Sequence, residues 1–221
     1  MIPALNNWWN ILRFRDFDYL CPEIFKTKGF LMSKEPFSEV VYSKNVIEFA
    51  TVANEYCSFI EAVDQFPRKN FITRVQKLFP LLYLNAALLP EPDIEMSEDA
   101  SEKFISEEDY NFFLHKLEVK FGQFDAYHEV FDPSMQYSEV ALEASISENI
   151  ADVYQDLKDF ILAYRIGTLE VMNDALWECR NNFEQYWGQR LVNGLRAIHN
   201  LVYGTADLDE TDEESDKMDN K

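Results

Sequence analysis

The sequence predicts an all-α protein, a single-domain bundle of five to six helices with a long C-terminal helix. Three observations support this prediction. Hydrophobic residues make up 47% of the 221 residues and aromatics 15%, which is enough for one substantial core. The chain has only 6 glycines and 8 prolines, fewer than the frequent turns of a β-sandwich or barrel require. Apolar residues also recur every three or four positions over long segments, as in amphipathic helices.

Residues 1–31 differ from the rest of the chain. They include Trp8 and Trp9 but show no regular hydrophobic period, and Met32 then opens a polar segment typical of a true start. They also lack the basic and apolar regions of a secretory signal peptide. We therefore expect residues 1–31 to be an N-terminal extension that does not belong to the native protein. The alternative is a short helix over residues 8–14 that packs on the core.

Two helices are predicted in the first half of the domain. Apolar residues at helical spacing cover about residues 44–64 and again about residues 68–89. Pro80 lies inside the second helix and is expected to kink or interrupt it, because proline lacks a backbone N–H. Residues 91–105 then form an acidic linker, which we expect to be mobile.

Three further helices are predicted after the linker. The first covers about residues 107–121 and has acidic residues in its first turn, which the helix dipole favours. Residues 122–133 are irregular and suggest an ordered loop or a bent short strand, and residues 140–146 suggest a short helix. The next long helix covers about residues 147–166. Ser147 is predicted as its N-cap and Gly167 as its left-handed C-terminal residue.

The last helix is predicted over about residues 168–202, which is long for a globular protein. Gly188 and Gly194 are expected to bend it or to let another helix approach closely. We assign the helical domain to residues 40–204. Residues 205–221 are predicted to be a disordered acidic tail, because they are low in complexity and rich in Asp and Glu.

The formal net charge of −20 is concentrated in two segments, since residues 91–109 have a net charge of −8 and residues 207–221 of −6. Such a surface repels phosphate backbones and anionic membranes, so we expect neither nucleic acid nor membrane as a direct partner. A basic protein is the partner that this charge favours, with simple solubility as the alternative. The chain has three widely spaced cysteines and no C-x-x-C motif, which predicts free thiols in the cytoplasm.

The polar side of the helix over residues 147–166 carries the candidate metal ligands Glu148, Asp152, Asp156 and Asp159. Their spacings of four, four and three place them on one helix face. Helical bundles use such carboxylates to bind Mg²⁺ or Mn²⁺, and all-α nucleotide pyrophosphatases do so with paired E-x-x-E and E-x-x-D motifs. This sequence has D-x-x-D but no matching motif on a neighbouring core helix. The favoured interpretation is therefore a solvated face without a cofactor.

No residue is assigned a catalytic role. The chain contains no P-loop, G-x-S-x-G or G-x-G-x-x-G motif, and none of its three histidines has zinc-ligand spacing. His199 lies beside the apolar stripe of the last helix and could be an interior histidine. Trp177, Tyr186 and Trp187 could line a pocket, although aromatics at helical spacing more often form the core.

Four segments resemble a bacterial family known as "domain of unknown function 5063". They are VIEFATVANEYCSFIE, LFPLLYLNAALLP, SISENIADVYQDLKDFILAYRIG and CRNNFEQYWGQRLVNGLRAIH, and the resemblance extends over about residues 40–203. It implies a small cytoplasmic helical protein. It implies no activity and no functional residues, because the family has no assigned activity.

Two functional hypotheses follow. The favoured one is a protein–protein interaction module or adaptor, because catalytic motifs are absent while aromatics and acidic segments are abundant. The alternative is a divalent-metal-dependent hydrolase acting on a small phosphorylated substrate. In that case Asp152, Asp156 and Asp159 would be the ligands of Mg²⁺ or Mn²⁺.

Overall fold

Helices dominate the structure of the protein, a computed structural model that describes residues 38–92, 103–129 and 143–209. The described residues form seven α-helices and one pair of short strands. The helices are α1 (Ser38–Val41), α2 (Lys44–Glu61), α3 (Arg68–Ala87), α4 (Glu107–Phe121), α5 (Ile146–Ile166), α6 (Leu169–Asn182) and α7 (Gly188–Tyr203). The predicted all-α fold is confirmed. The predictions for residues 1–31, for most of the acidic linker and for residues 210–221 lie outside the described residues.

The central helix of the bundle is α5, which contacts α2, α4, α6 and α7. Its apolar stripe is fully buried at Ile150, Val153 and Leu157. Burying one such side chain stabilises the fold by roughly 1.5–3 kcal/mol relative to leaving it in water. Because helices surround α5 on several sides, polar residues outside this stripe are also removed from solvent.

Helices α2 and α3 form an antiparallel hairpin. The buried hydroxyl of Tyr56 donates to the carbonyl oxygen of Ile150 at 2.9 Å, which ties α2 to α5. The predicted interruption at Pro80 is not found, since α3 is one helix from Arg68 to Ala87. Pro80 lies on the exposed side of this helix, where the carbonyl group that loses its donor can bind water instead.

The start of α5 differs from the prediction. Ser145 is the N-cap and accepts from the Glu148 N–H at 3.3 Å, so the assignment of the cap to Ser147 was wrong. Ser147 is buried, and its N–H and hydroxyl both donate to the Asp125 carboxylate at 2.7 Å. Residues 143–145 form not a helix but strand β2 (Glu143–Ser145), which pairs antiparallel with β1 (Ala126–His128). The tertiary contact with Asp125 decided this local conformation.

The predicted long C-terminal helix is helical throughout but not uniformly α-helical. Residues Phe183–Trp187 between α6 and α7 have π-helical geometry. The Gly188 N–H donates to the Phe183 carbonyl oxygen five residues earlier, and a Cβ atom at position 188 would lie 2.3 Å from that oxygen. The π turn therefore requires glycine at this position.

Residues 205–209, directly after α7, are ordered, although the sequence predicted disorder. Leu208 is buried, with only 7% of its surface exposed, and the Asp209 carboxylate lies 2.5 Å from Lys69 Nζ on α3. The prediction of disorder from residue 205 was therefore wrong for residues 205–209, because Leu208 packs against the apolar core. Within the described parts of the chain, no helix combines the length and hydrophobicity needed to cross a membrane.

Candidate functional site on the acidic face of α5

The four predicted metal ligands lie along one side of α5, but this side is not a solvated face. Glu148 is exposed, Asp156 is partly buried, and Asp152 and Asp159 expose only 9% and 7% of their surface. The interpretation as a solvated face is therefore wrong for Asp152 and Asp159. Side chains from the neighbouring segments cover this side of α5 and bind its carboxylates.

Both carboxylate oxygens of Asp152 have hydrogen-bond donors. The Tyr110 hydroxyl donates to Oδ1 and the Tyr186 hydroxyl to Oδ2, each at 2.8 Å. Arg190 Nε lies 3.4 Å from Oδ2. Burial, together with the Asp152 charge, raises the pKa of Tyr110, and burial and the bond to Asp152 raise the pKa of Tyr186 to about 12. Both tyrosines therefore remain protonated donors at neutral pH.

The π turn places Tyr186 in this cluster, and helix α7 directly after it carries Arg190. Trp187 is fully buried, and its indole Nε1 donates to the Cys179 carbonyl oxygen at 3.0 Å. With Trp187 held in the core, the preceding Tyr186 reaches Asp152 from the adjoining side of the helix. Sequence reasoning missed Tyr110, Tyr186 and Arg190 as partners of Asp152. No spacing rule connects α4 with the π turn, so only the packing of the bundle shows that they meet.

Asp156 lies one turn further along α5, where the Asn182 side-chain amide donates to its Oδ1 at 2.7 Å. Burial raises the pKa of Asp156 to about 6, while the Asn182 hydrogen bond and the charge of Lys103 act in the opposite direction. The pKa of this carboxyl group therefore lies within about one unit of neutral pH.

Asp159 holds the segment that leads into α4. Its Oδ1 accepts from the backbone N–H groups of Phe104 and Ile105 at 2.8 and 2.9 Å. Lys103 Nζ lies 3.9 Å from Oδ2 of Asp159 and donates to the Glu178 carboxylate at 2.6 Å. Burial raises the pKa of Asp159, and the two backbone hydrogen bonds oppose this shift. The contacts of Asp159 are those of a residue that anchors a chain segment.

The space around Asp156 and Asp159 is small. The crevice that they line with Glu178 has a volume of about 10 Å³, at the lower limit for one water molecule. Within residues 38–92, 103–129 and 143–209, no group of three or more His, Cys, Asp or Glu side chains is arranged to hold a metal ion. The metal site stays a prediction that a binding experiment has to test.

The other residues singled out from the sequence are dispersed. His199 is exposed, and its ring lies 4.7 Å from that of Tyr203, so the interpretation as an interior histidine was wrong. Trp187 belongs to the core, whereas Trp177 lines an open cleft of about 230 Å³. In that cleft Arg180 is paired with Glu184 at 3.1 Å. Trp177 and Trp187 thus do not share a pocket.

These features define an all-α bundle protein in which one central helix holds its neighbours through apolar packing and through the hydrogen-bonded carboxylates of Asp152, Asp156 and Asp159. A family model described as "Domain of unknown function (DUF5063)" matches residues 40–204. Since the match covers most of the chain, the protein belongs to the DUF5063 family, as the resemblance of its helical segments predicted.

One solved structure extends this comparison. The chain is similar to the crystal structure of protein BF1032 from Bacteroides fragilis, a target of the Northeast Structural Genomics Consortium. The two are 38% identical, the match covers 75% of this chain and 97% of that one, and the TM-score is 0.66. No curated protein matches the chain.

Proposed function

We propose that this protein is a protein–protein interaction module that works in the cytoplasm. The observation that supports the proposal is the exposure of large apolar side chains on the outer side of the bundle. Tyr83, Leu84 and Leu88 are all exposed near the end of α3, and Leu84 leaves 56% of its surface in water. Neighbouring apolar side chains left in water gain free energy when a partner covers them.

The contacts on α5 support a scaffold role for a different reason, because they hold the helices that pack around α5. Asp152, Asp156 and Asp159 each accept hydrogen bonds from other parts of the fold. Buried hydrogen bonds to charged groups contribute about 1.5–3 kcal/mol each, so these contacts hold the surrounding helices in fixed positions. No observation on α5 favours the alternative of a metal-dependent hydrolase.

The thiols support the cytoplasmic assignment. Cys57 and Cys179 are both free and buried, as is common for cysteine in a reducing compartment. Burial raises the pKa of both thiols, which keeps them protonated and unreactive. We therefore assign them a packing role.

Site-specific photo-cross-linking in cells tests the proposal. A photoreactive residue at Leu84 should give a discrete cross-linked product with another protein. The control is His115 on α4, whose side chain is 77% exposed but is polar. Identical products from the two positions, or no product from Leu84, would refute the proposal.

A further inference from the structure

Helices α3 and α7 differ in charge from the rest of this acidic chain. Helix α3 has four basic residues and α7 has two, and neither contains a single Asp or Glu. The two helices pack against each other in antiparallel directions. Gly194 of α7 lies beside Phe79, whereas Phe183 at the start of the π turn contacts Tyr83. Two adjacent helices without carboxylates of their own therefore pack against each other in a chain of net charge −20.

The exposed residues of α3 and α7 are here called the acid-free face. It combines basic and apolar side chains. Its basic and large apolar members on α3 are Lys69, Arg74, Lys77, Tyr83 and Leu84, and we include the exposed Leu88 directly after the helix. On α7, an exposed stripe is formed by Val192, Arg196, His199 and Tyr203. The α7 residues are spaced four, three and four apart, so they lie on one side of that helix.

Not every cation of these helices belongs to the acid-free face. Arg190 turns toward Asp152 on α5, and Arg68 Nε donates to the Lys120 carbonyl oxygen at 2.9 Å. The charge of the face therefore comes from a few separate side chains rather than from a dense basic patch. A dense patch would suit a phosphate backbone, whereas cations spaced between apolar residues suit a protein segment.

The chain itself shows which chemistry this surface accepts. Directly after α7, the segment Asp207-Leu208-Asp209 turns back toward α3. Leu208 is buried, and Asp209 pairs with Lys69 at 2.5 Å. An acidic segment thus packs at one edge of the acid-free face. Its Asp209 carboxylate pairs with Lys69, and its Leu208 side chain lies in the core.

We propose that the acid-free face binds an acidic segment of a partner protein in which apolar residues alternate with Asp or Glu. The inference rests on the proposed function and adds to it the surface and the chemistry of the partner. The net charge of the chain led to the expectation of a basic partner, but binding depends on the charge at the contact. At the contact, the carboxylates would meet Lys77 and its neighbours while the apolar residues cover Leu84 and Leu88.

Fluorescence anisotropy with the full-length protein tests this inference. The probe is a labelled synthetic peptide of alternating Leu and Asp or Glu. Its controls replace either all acidic residues by Lys or all Leu by Ser. We expect the acidic, Leu-containing peptide to bind more tightly than both controls. Its affinity should fall as salt rises, because the exposed charges become screened.

Two substitutions locate the site. Lys77→Glu should weaken binding of the peptide about fivefold, because it replaces an attractive charge by a repulsive one. Leu84→Ser should weaken binding about tenfold through lost apolar burial. The controls are His115→Glu and Val119→Ser on α4, both at exposed positions, and they should leave the affinity within about twofold. Circular dichroism verifies that all variants fold.

Several outcomes would overturn the inference. The first is no preference for the acidic peptide over its controls, and the second is an equal loss of peptide affinity in the site and control variants. The third is self-association of the protein that Lys77→Glu abolishes. The fourth is peptide binding that appears only after the carboxylates of residues 210–219 are neutralised. The last two would assign the face to a second copy or to the chain's own C-terminal segment. If the cross-link from Leu84 forms while the peptide fails to bind, the interaction module stands and only the partner chemistry is wrong. If no cross-linked product forms from Leu84, the proposed role as an interaction module is itself refuted.

Discussion

Asp156→Asn removes the charge of a partly buried carboxylate while keeping the oxygen that accepts from Asn182. Asparagine has nearly the same shape as aspartate, so the packing between α5 and α6 should be preserved. Burial raises the pKa of Asp156 from an ordinary value of 3.8 to about 6. The ionised form is therefore less favourable in the folded protein than in the unfolded chain.

The sign and size of the effect follow from proton linkage. Below about pH 4 the carboxyl group is protonated in both states, and its charge has no influence on stability. Between about pH 4 and pH 6 the unfolded chain loses this proton first, so the free energy of unfolding falls as pH rises. Above about pH 7 the loss is complete and amounts to at most about 3 kcal/mol, the free-energy equivalent of the pKa difference.

The assay is urea denaturation of the wild type and Asp156→Asn at a series of pH values from 4 to 8. The variant should gain stability relative to the wild type as pH rises through this window, and the difference should level off above about pH 7. Glu148→Gln, which removes an exposed carboxylate from the same helix, controls for the loss of one negative charge. Parallel curves for the wild type and Asp156→Asn would refute the reasoning.

Three further substitutions or additions test other parts of the site. Gly188→Ala should lower the free energy of unfolding, measured by urea denaturation, by at least about 2 kcal/mol, because the added Cβ meets the backbone oxygen of Phe183. Gly194→Ala should lower it less, because its added Cβ meets only side-chain atoms. Asp159→Ala should lower the free energy of unfolding by about 1–3 kcal/mol and speed amide hydrogen exchange at residues 104–105, because their N–H groups lose their acceptor. Equal exchange rates in Asp159→Ala and Asp159→Asn would contradict the anchoring role. Mn²⁺ should change the Tm of the wild type and of Asp156→Ala equally, and a rise confined to the wild type would establish the metal site.

Local patterns were sufficient to predict the helices. The start of α4 follows from Ser106 and Asp109, which form reciprocal side-chain to backbone hydrogen bonds. The end of α5 follows from Gly167, which has a φ of 83° that glycine adopts without strain. The apolar stripe of α5 was also readable from its spacing. In each case the controlling interaction lies within a few residues along the chain, so the sequence contains all of its partners.

The candidate site was only partly predictable. The sequence placed Asp152, Asp156 and Asp159 on one side of α5, and this placement is correct. It could not reveal that Tyr110 and Tyr186 bind Asp152, because these residues lie 42 and 34 positions away along the chain. Whether a polar helix face is solvated or buried depends on which helices cover it, and periodicity carries no information about that.

The sequence by itself thus determined the helical fold class and the main helix boundaries, because these depend on local propensity and on the spacing of apolar residues. It also determined the membership of the family, through the resemblance of its helical segments. The tertiary structure decided three other features: the π turn at Phe183–Trp187, the N-cap at Ser145 instead of Ser147, and the burial of Asp152 and Asp159. Each depends on contacts between segments distant in sequence, whose free energy outweighs the weak local preferences of the residues involved.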